Sequence, residues 1–115
     1  MEKNLKNNLL LDFYSGMLTE KQSEIMRLYV ECDTSLSEIA RELNMSRQAV
    51  YDTVKATQNI LENYEQKLKC VERYLSNREI ILECRNELEA LKVEGLKNEK
   101  VQNIVKKLEK VLQNQ

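Results

Sequence analysis

The side chains best suited to recognising another molecule gather in one stretch, between Ser46 and Asn59. Arg47 can pair with guanine or a phosphate, Gln48 can read adenine, and Lys55 can neutralise a phosphate. Tyr51 offers a ring on which an unpaired base can stack. Asp52 adds an anion to the same group, and an anion repels a phosphate backbone. At about 100° per residue, Gln48, Tyr51, Asp52, Lys55 and Asn59 share one side of a helix, while Val50, Val54 and Thr57 share the other. Arg47 lies at the flank, beside Ser46 at the helix start. The candidate nucleic-acid or partner face is therefore Ser46, Arg47, Gln48, Tyr51, Asp52, Lys55 and Asn59. The bland alternative is an ordinary solvated helix face.

Other chemistry is scarce. The chain has no histidine, so it lacks an imidazole base, a Ser-His or Cys-His nucleophile pair, and His ligands for zinc. No glycine-rich stretch exists to cradle a phosphate. The expectation is a non-enzyme with no cofactor and no metal. Cys32, Cys70 and Cys84 include no C-x-x-C pair, and they read as reduced thiols, each a small core residue.

Helices must position the face. The 115 residues include no proline and only two glycines, Gly16 and Gly95. Asn-Gly and Asp-Gly pairs are absent, so the tight turns of a sheet protein have no material. The class is all-α. Charge is balanced, with 18 Lys and Arg against 19 Asp and Glu. Residues 1–45 carry five cations and eight anions, not the basic excess of a dedicated nucleic-acid binder. The apolar run Leu9-Leu10-Leu11 is too short for a signal peptide or a membrane span. A cytoplasmic protein with no membrane insertion is expected.

Periodicity predicts six helices. The first covers 4–16, with Leu5, Leu9, Asp12 and Phe13 along one side and Leu10 and Tyr14 beside them, and Gly16 as a left-handed stop. The second covers 20–32 behind a Thr19 cap, with Ile25, Leu28, Tyr29 and Cys32 on one face. Ser35 and Glu38 form a capping box for a third helix over 36–43, where Leu36, Ile39, Ala40 and Leu43 share a face. Ser46 caps a fourth. Val50, Val54, Thr57, Leu61, Tyr64, Leu68, Val71 and Leu75 alternate in steps of four and three, which predicts one continuous helix over 46–75. Ser76-Asn77 offers the next cap, for a helix over 77–93 packed through Ile81, Cys84, Leu88 and Leu91 and ended by Gly95. The last helix covers 98–113 and carries Val101, Ile104, Val105, Leu108, Val111 and Leu112. Residues 1–75 form one domain, and 76–115 a C-terminal helical extension for packing or dimerisation. Its apolar stripes exceed what one small core covers, so a homodimer is expected.

Residues 35–54 read SLSEIARELNMSRQAVYDTV. Ala40 is the small residue at the helix crossing, Ile39, Leu43, Met45 and Val50 hold it, and Asn44-Met45-Ser46 is the turn. This is a helix-turn-helix, placed at 35–55 and without a wing. The stretch 35–62 resembles region 4 of bacterial sigma factors, in the pattern S-x-x-E-I-A-x-E-L-x-x-S-R-x-x-V. Over residues 9–75 the chain resembles the YlxM family of small bacterial helix-turn-helix proteins. Leu11-Asp12-Phe13-Tyr14, Leu18-Thr19-Glu20-Lys21-Gln22, Leu36-Ser37-Glu38-Ile39-Ala40 and Ser46-Arg47-Gln48-Ala49-Val50-Tyr51-Asp52 carry the likeness. Compared with sigma factors, Tyr51 and Asp52 replace more basic residues of the DNA-reading helix.

The resemblance implies an all-helical fold with a long recognition helix and a helical tail. Proteins of this family are encoded beside the signal recognition particle GTPase and its receptor, which implies a regulatory part in that pathway, with either protein as partner. No catalytic residues carry over. Three readings stay open: a protein-interaction regulator, a sequence-specific DNA-binding regulator, and an RNA binder that stacks a base on Tyr51.

Overall fold

A computed structural model describes the backbone of residues 2–93 and 99–113, with side chains over 5–91 and 99–113. Among the described residues there are six α-helices and no strand. They are α1 (Glu2–Tyr14), α2 (Glu20–Val30), α3 (Leu36–Glu42), α4 (Arg47–Leu68), α5 (Cys70–Val93) and α6 (Glu99–Gln113). The chain forms two compact units, Met1–Val71 and Glu72–Gln115.

Side-chain oxygens start three of the helices. Thr19, Ser35 and Ser46 accept from the backbone N–H of Gln22, Glu38 and Ala49 at 3.1, 3.1 and 3.0 Å. The full reciprocal box forms at Thr19, where Gln22 Oε1 accepts from the Thr19 N–H. At Ser35 the structure supplies the hydroxyl half of the expected box.

A chain this poor in glycine must turn corners on other residues. Asp33, Asn44 and Lys69 take left-handed backbones, with φ of 52°, 55° and 56°. Asp and Asn tolerate that region better than other side chains. Asn44 closes α3 through its own N–H to the Arg41 carbonyl and the Met45 N–H to the Ala40 carbonyl. Gly16 is not the left-handed stop expected of it. α1 ends at Tyr14, and Gly16 sits inside a 3-10 turn over Ser15–Met17.

α4 is the central element of the first unit, packing on α1, α2 and α3. Its buried residues are Val50, Val54, Thr57 and Leu61. They meet Ile25 and Met26 from α2, and Ile39 and the small Ala40 from α3. α1 contributes Leu9, Leu10, Leu11 and Tyr14, whereas Leu5 and Phe13 are exposed. The expected side of α1 is thus rotated, because α1 touches both α2 and α4 and buries the arc between them. Thr57 is fully buried, and its hydroxyl has no hydrogen-bond partner among the described residues.

The long helix expected over 46–75 breaks at Lys69. A left-handed backbone costs a non-glycine residue about 1–2 kcal/mol, so something must hold it. Tyr14, buried in α1, donates its hydroxyl to Glu65 Oε1 at 2.6 Å and accepts from the Cys70 N–H at 3.1 Å. The same Glu65 oxygen accepts from the Val71 N–H at 3.0 Å. Two orphan donors at the start of α5 are thus satisfied by side chains from other elements. The Tyr14 ring stacks on Tyr64 at 6.0 Å, and Val71 is buried. On both sides of the break the expected seam fails: Leu68 and Leu75 are exposed, and Ser76-Asn77 lie inside α5 rather than capping a new helix.

In the second unit Val105 of α6 is buried, and Arg78 Nη1 donates to the Leu112 carbonyl at 3.3 Å. A guanidinium there suits the negative end of α6. On α5 the shielded side runs through Arg78, Ile81, Leu82, Arg85 and Leu88, while Cys84 and Leu91 face out. On α6, Ile104 and Val111 are exposed. The core placement expected of the cysteines is corrected: Cys32 and Cys84 are exposed and Cys70 is half-buried, and none of the three is in a disulfide among the described residues. α2 stops at Val30, so Cys32 leaves the helical register of Ile25, and Cys84 lies off the α6-facing side. Gly95 lies outside the described residues.

Two measurements follow from this core. Thr57→Val removes a buried hydroxyl that finds no partner among the described residues, so urea unfolding is expected to show a gain of about 1 kcal/mol. A loss of stability would mean that the hydroxyl has a partner. Burial, then the hydrogen bond to Glu65, pushes the Tyr14 phenol above the usual tyrosine range. The folded state therefore keeps a proton that the unfolded chain releases near pH ~10. Stability from this group is fully present below that pH and is lost as pH rises above it. Unfolding curves at stepped alkaline pH should show the fall, and Tyr14→Phe should remove it.

Candidate functional site

Ser46 begins the site as a cap. Its hydroxyl is already used by the Ala49 N–H, so its first task is to start α4. Arg47 follows in the first turn, exposed and with no ion pair among the described residues. The core residues Val50, Val54 and Thr57 point the other way, which turns Gln48, Tyr51, Asp52, Lys55 and Asn59 outward. All five are exposed.

They are not five independent groups. Gln48 Nε2 donates to Asp52 Oδ1 at 3.0 Å, one helical turn along. That bond uses one N–H of the Gln48 amide and leaves the second N–H and the carbonyl oxygen for another partner. Lys55 Nζ lies 6.0 Å from the centre of the Tyr51 ring, at the outer reach of a cation–π contact. Tyr51 is 41% exposed, one of the large apolar surfaces of this helix. The face is therefore a Tyr51–Lys55 pair beside a Gln48–Asp52 pair, with Arg47 at one end and Asn59 at the other.

A cleft of about 580 Å³ adjoins the Tyr51 side. Asn7 of α1, Tyr29 of α2, the Asp33–Leu36 segment, and Tyr51, Lys55 and Gln58 line it. Asn7, Tyr29, Asp33 and Gln58 are additions to the sequence reading. Gln58 had a signal, since it lies three residues beyond Lys55 on the same helix. Asn7 and Asp33 had none, because packing alone brings them there. Among the described residues no three Cys, Asp or Glu side chains converge to hold a metal ion, and no helix is long and apolar enough to cross a membrane.

Three helices around the buried face of α4, with α3 and α4 joined by the Asn44 turn, define an all-α helix-turn-helix protein. The chain belongs to UPF0122, the YlxM / p13-like helix-turn-helix family, which it matches over residues 1–104. It is 47% identical over 85 residues to a UPF0122 protein of Shouchella clausii, covering 74% of this chain and 78% of that one. It is 39% identical over 111 residues to one from Bacillus mycoides, covering 96% and 98%. A UPF0122 protein of Bacillus anthracis is 38% identical over the same length. The match runs through α5 into α6, well past the 9–75 stretch whose motifs carry the sequence resemblance.

The two possible roles of Ser46 can be separated. Ser46→Ala is expected to cost about 1 kcal/mol in urea unfolding, and Ser46→Asp to retain most of the stability. Equal stability of all three proteins would remove Ser46 from the cap and return it to the partner face.

Proposed function

We propose that this chain is a non-catalytic regulator of the signal recognition particle pathway, acting in the cytoplasm. It docks the outward face of α4 on a protein of that pathway, the particle's GTPase or the receptor of that GTPase. What supports the pathway is the family resemblance, which implies genes beside those of the two proteins. The observation that carries the protein reading is the Gln48–Asp52 hydrogen bond in the middle of the face. It holds a carboxylate where a phosphate backbone would have to approach, and it engages one N–H of the amide that would read a base. A mixed face with an exposed tyrosine matches the surfaces proteins use for one another, where aromatic and Arg side chains supply most of the energy.

DNA regulation is the second reading. Arg47 favours it, exposed at the start of a helix whose N-terminal residues would face base edges. The proposal also includes self-association through the second unit. Ile80 and Leu91 on α5 and Ile104 and Val111 on α6 support it, each 37–55% exposed.

Calorimetry of the full chain against the purified GTPase and its receptor tests the reading. Binding at about ten micromolar or tighter to one of them is expected. Tyr51→Ala should weaken it at least about tenfold. No binding to either protein, combined with duplex binding whose salt slope drops by about one in Arg47→Ala, would install the DNA reading instead. Sedimentation at micromolar concentration checks the second unit. A dimer is expected, and a lone monomer would remove self-association.

A further inference from the structure

We propose that the α4–α5 junction is a two-state hinge, held in its broken state by Tyr14 and Glu65. The apolar positions run from Val50 to Leu75 in steps of four and three, and no proline or glycine interrupts residues 47–93. Local sequence therefore favours one uninterrupted helix. The structure breaks it at one residue, Lys69, with φ 56° and ψ 32°. The other two left-handed residues, Asp33 and Asn44, are types that tolerate the region, and Lys69 is not.

Three backbone N–H donors at the hinge keep partners in either form. The Lys69 N–H keeps its helical bond to the Glu65 carbonyl at 2.8 Å. The next two N–H groups, of Cys70 and Val71, would bond the Gln66 and Lys67 carbonyls in a continuous helix. In the broken state Tyr14 Oη and Glu65 Oε1 replace those carbonyls. The backbone donors are satisfied either way, so the choice falls to a few side chains. Tyr14 is the decisive one, because it comes from α1, it is buried, and its hydroxyl bridges Glu65 and Cys70. With the latch closed, Val71 is buried and Leu68 exposed. With it open, α4 runs on without a break through Lys69 to Val71.

Nuclear magnetic resonance on the full chain tests this directly. The carbon shifts of Lys69 distinguish left-handed from helical backbone. A contact between the Leu68 Hα and the Val71 N–H marks a continuous helix. The wild-type protein should show a left-handed Lys69 and no such contact. Tyr14→Phe keeps the ring and removes only the hydroxyl. It should lower the ratio of left-handed to helical Lys69 about tenfold, with the contact appearing and the spectrum of residues 5–61 retained. Adding Lys69→Gly, which favours the left-handed region, should remove the contact again. A Tyr14→Phe protein whose Lys69 stays left-handed would overturn the proposal. So would one whose residues 47–71 lose helical signals altogether, since Tyr14 would then be a core residue and not a latch.

Discussion

One helix face governs the first unit. Val50, Val54, Thr57 and Leu61 of α4 are all buried, and α4 packs on α1, α2 and α3. That single stripe holds three neighbours in place and leaves the opposite side of α4 to solvent. The outward residues owe their positions to this packing, not to contacts of their own. The Ser46 cap and the left-handed Asn44 set where the helix begins. Together they fix the register that turns Gln48, Tyr51 and Lys55 outward.

The same economy shapes the chemistry. The proposed role is recognition, and the groups suited to it are Arg47, Gln48, Tyr51, Asp52 and Lys55, all exposed on α4. The Gln48–Asp52 bond ties one amide N–H to one carboxylate oxygen, and the Lys55 ammonium lies 6.0 Å from the centre of the Tyr51 ring. A partner that offers aromatic and mixed polar surface can use such a face as it stands. A polyanion would first have to displace Asp52 from its centre. The neighbouring cleft widens the face toward α1 and the Asp33–Leu36 segment, so a protein partner would meet a surface broader than one helix.

Short-range features were legible in the sequence. Thr19, Ser35 and Ser46 announce their helices because a cap needs only a hydroxyl and an N–H three residues away. Ala40, Ile39 and Val50 follow from helical spacing. Lys69 was not legible, because the residue that holds its left-handed turn is Tyr14, in another helix and far away in the chain. The seam through Leu68 and Leu75 is a true local preference that a tertiary contact overrides. Cys84 failed for a related reason. Periodicity gives the spacing of a stripe, but α6 decides which of several stripes on α5 is covered. The outward face of α4 was readable because its inward face is so regular, whereas Asn7 and Asp33 reach the cleft only through packing.

The central claim is that the outward face of α4 receives a protein. Amide shift mapping of the full chain tests it most directly, with the purified signal recognition particle GTPase, its receptor and a mixed-sequence DNA duplex added in turn at one ionic strength. The account predicts that one of the two proteins moves the signals of Arg47, Gln48, Tyr51, Asp52 and Lys55, and that the duplex leaves them in place. Movement of those five signals by the duplex, with both proteins silent, would contradict it.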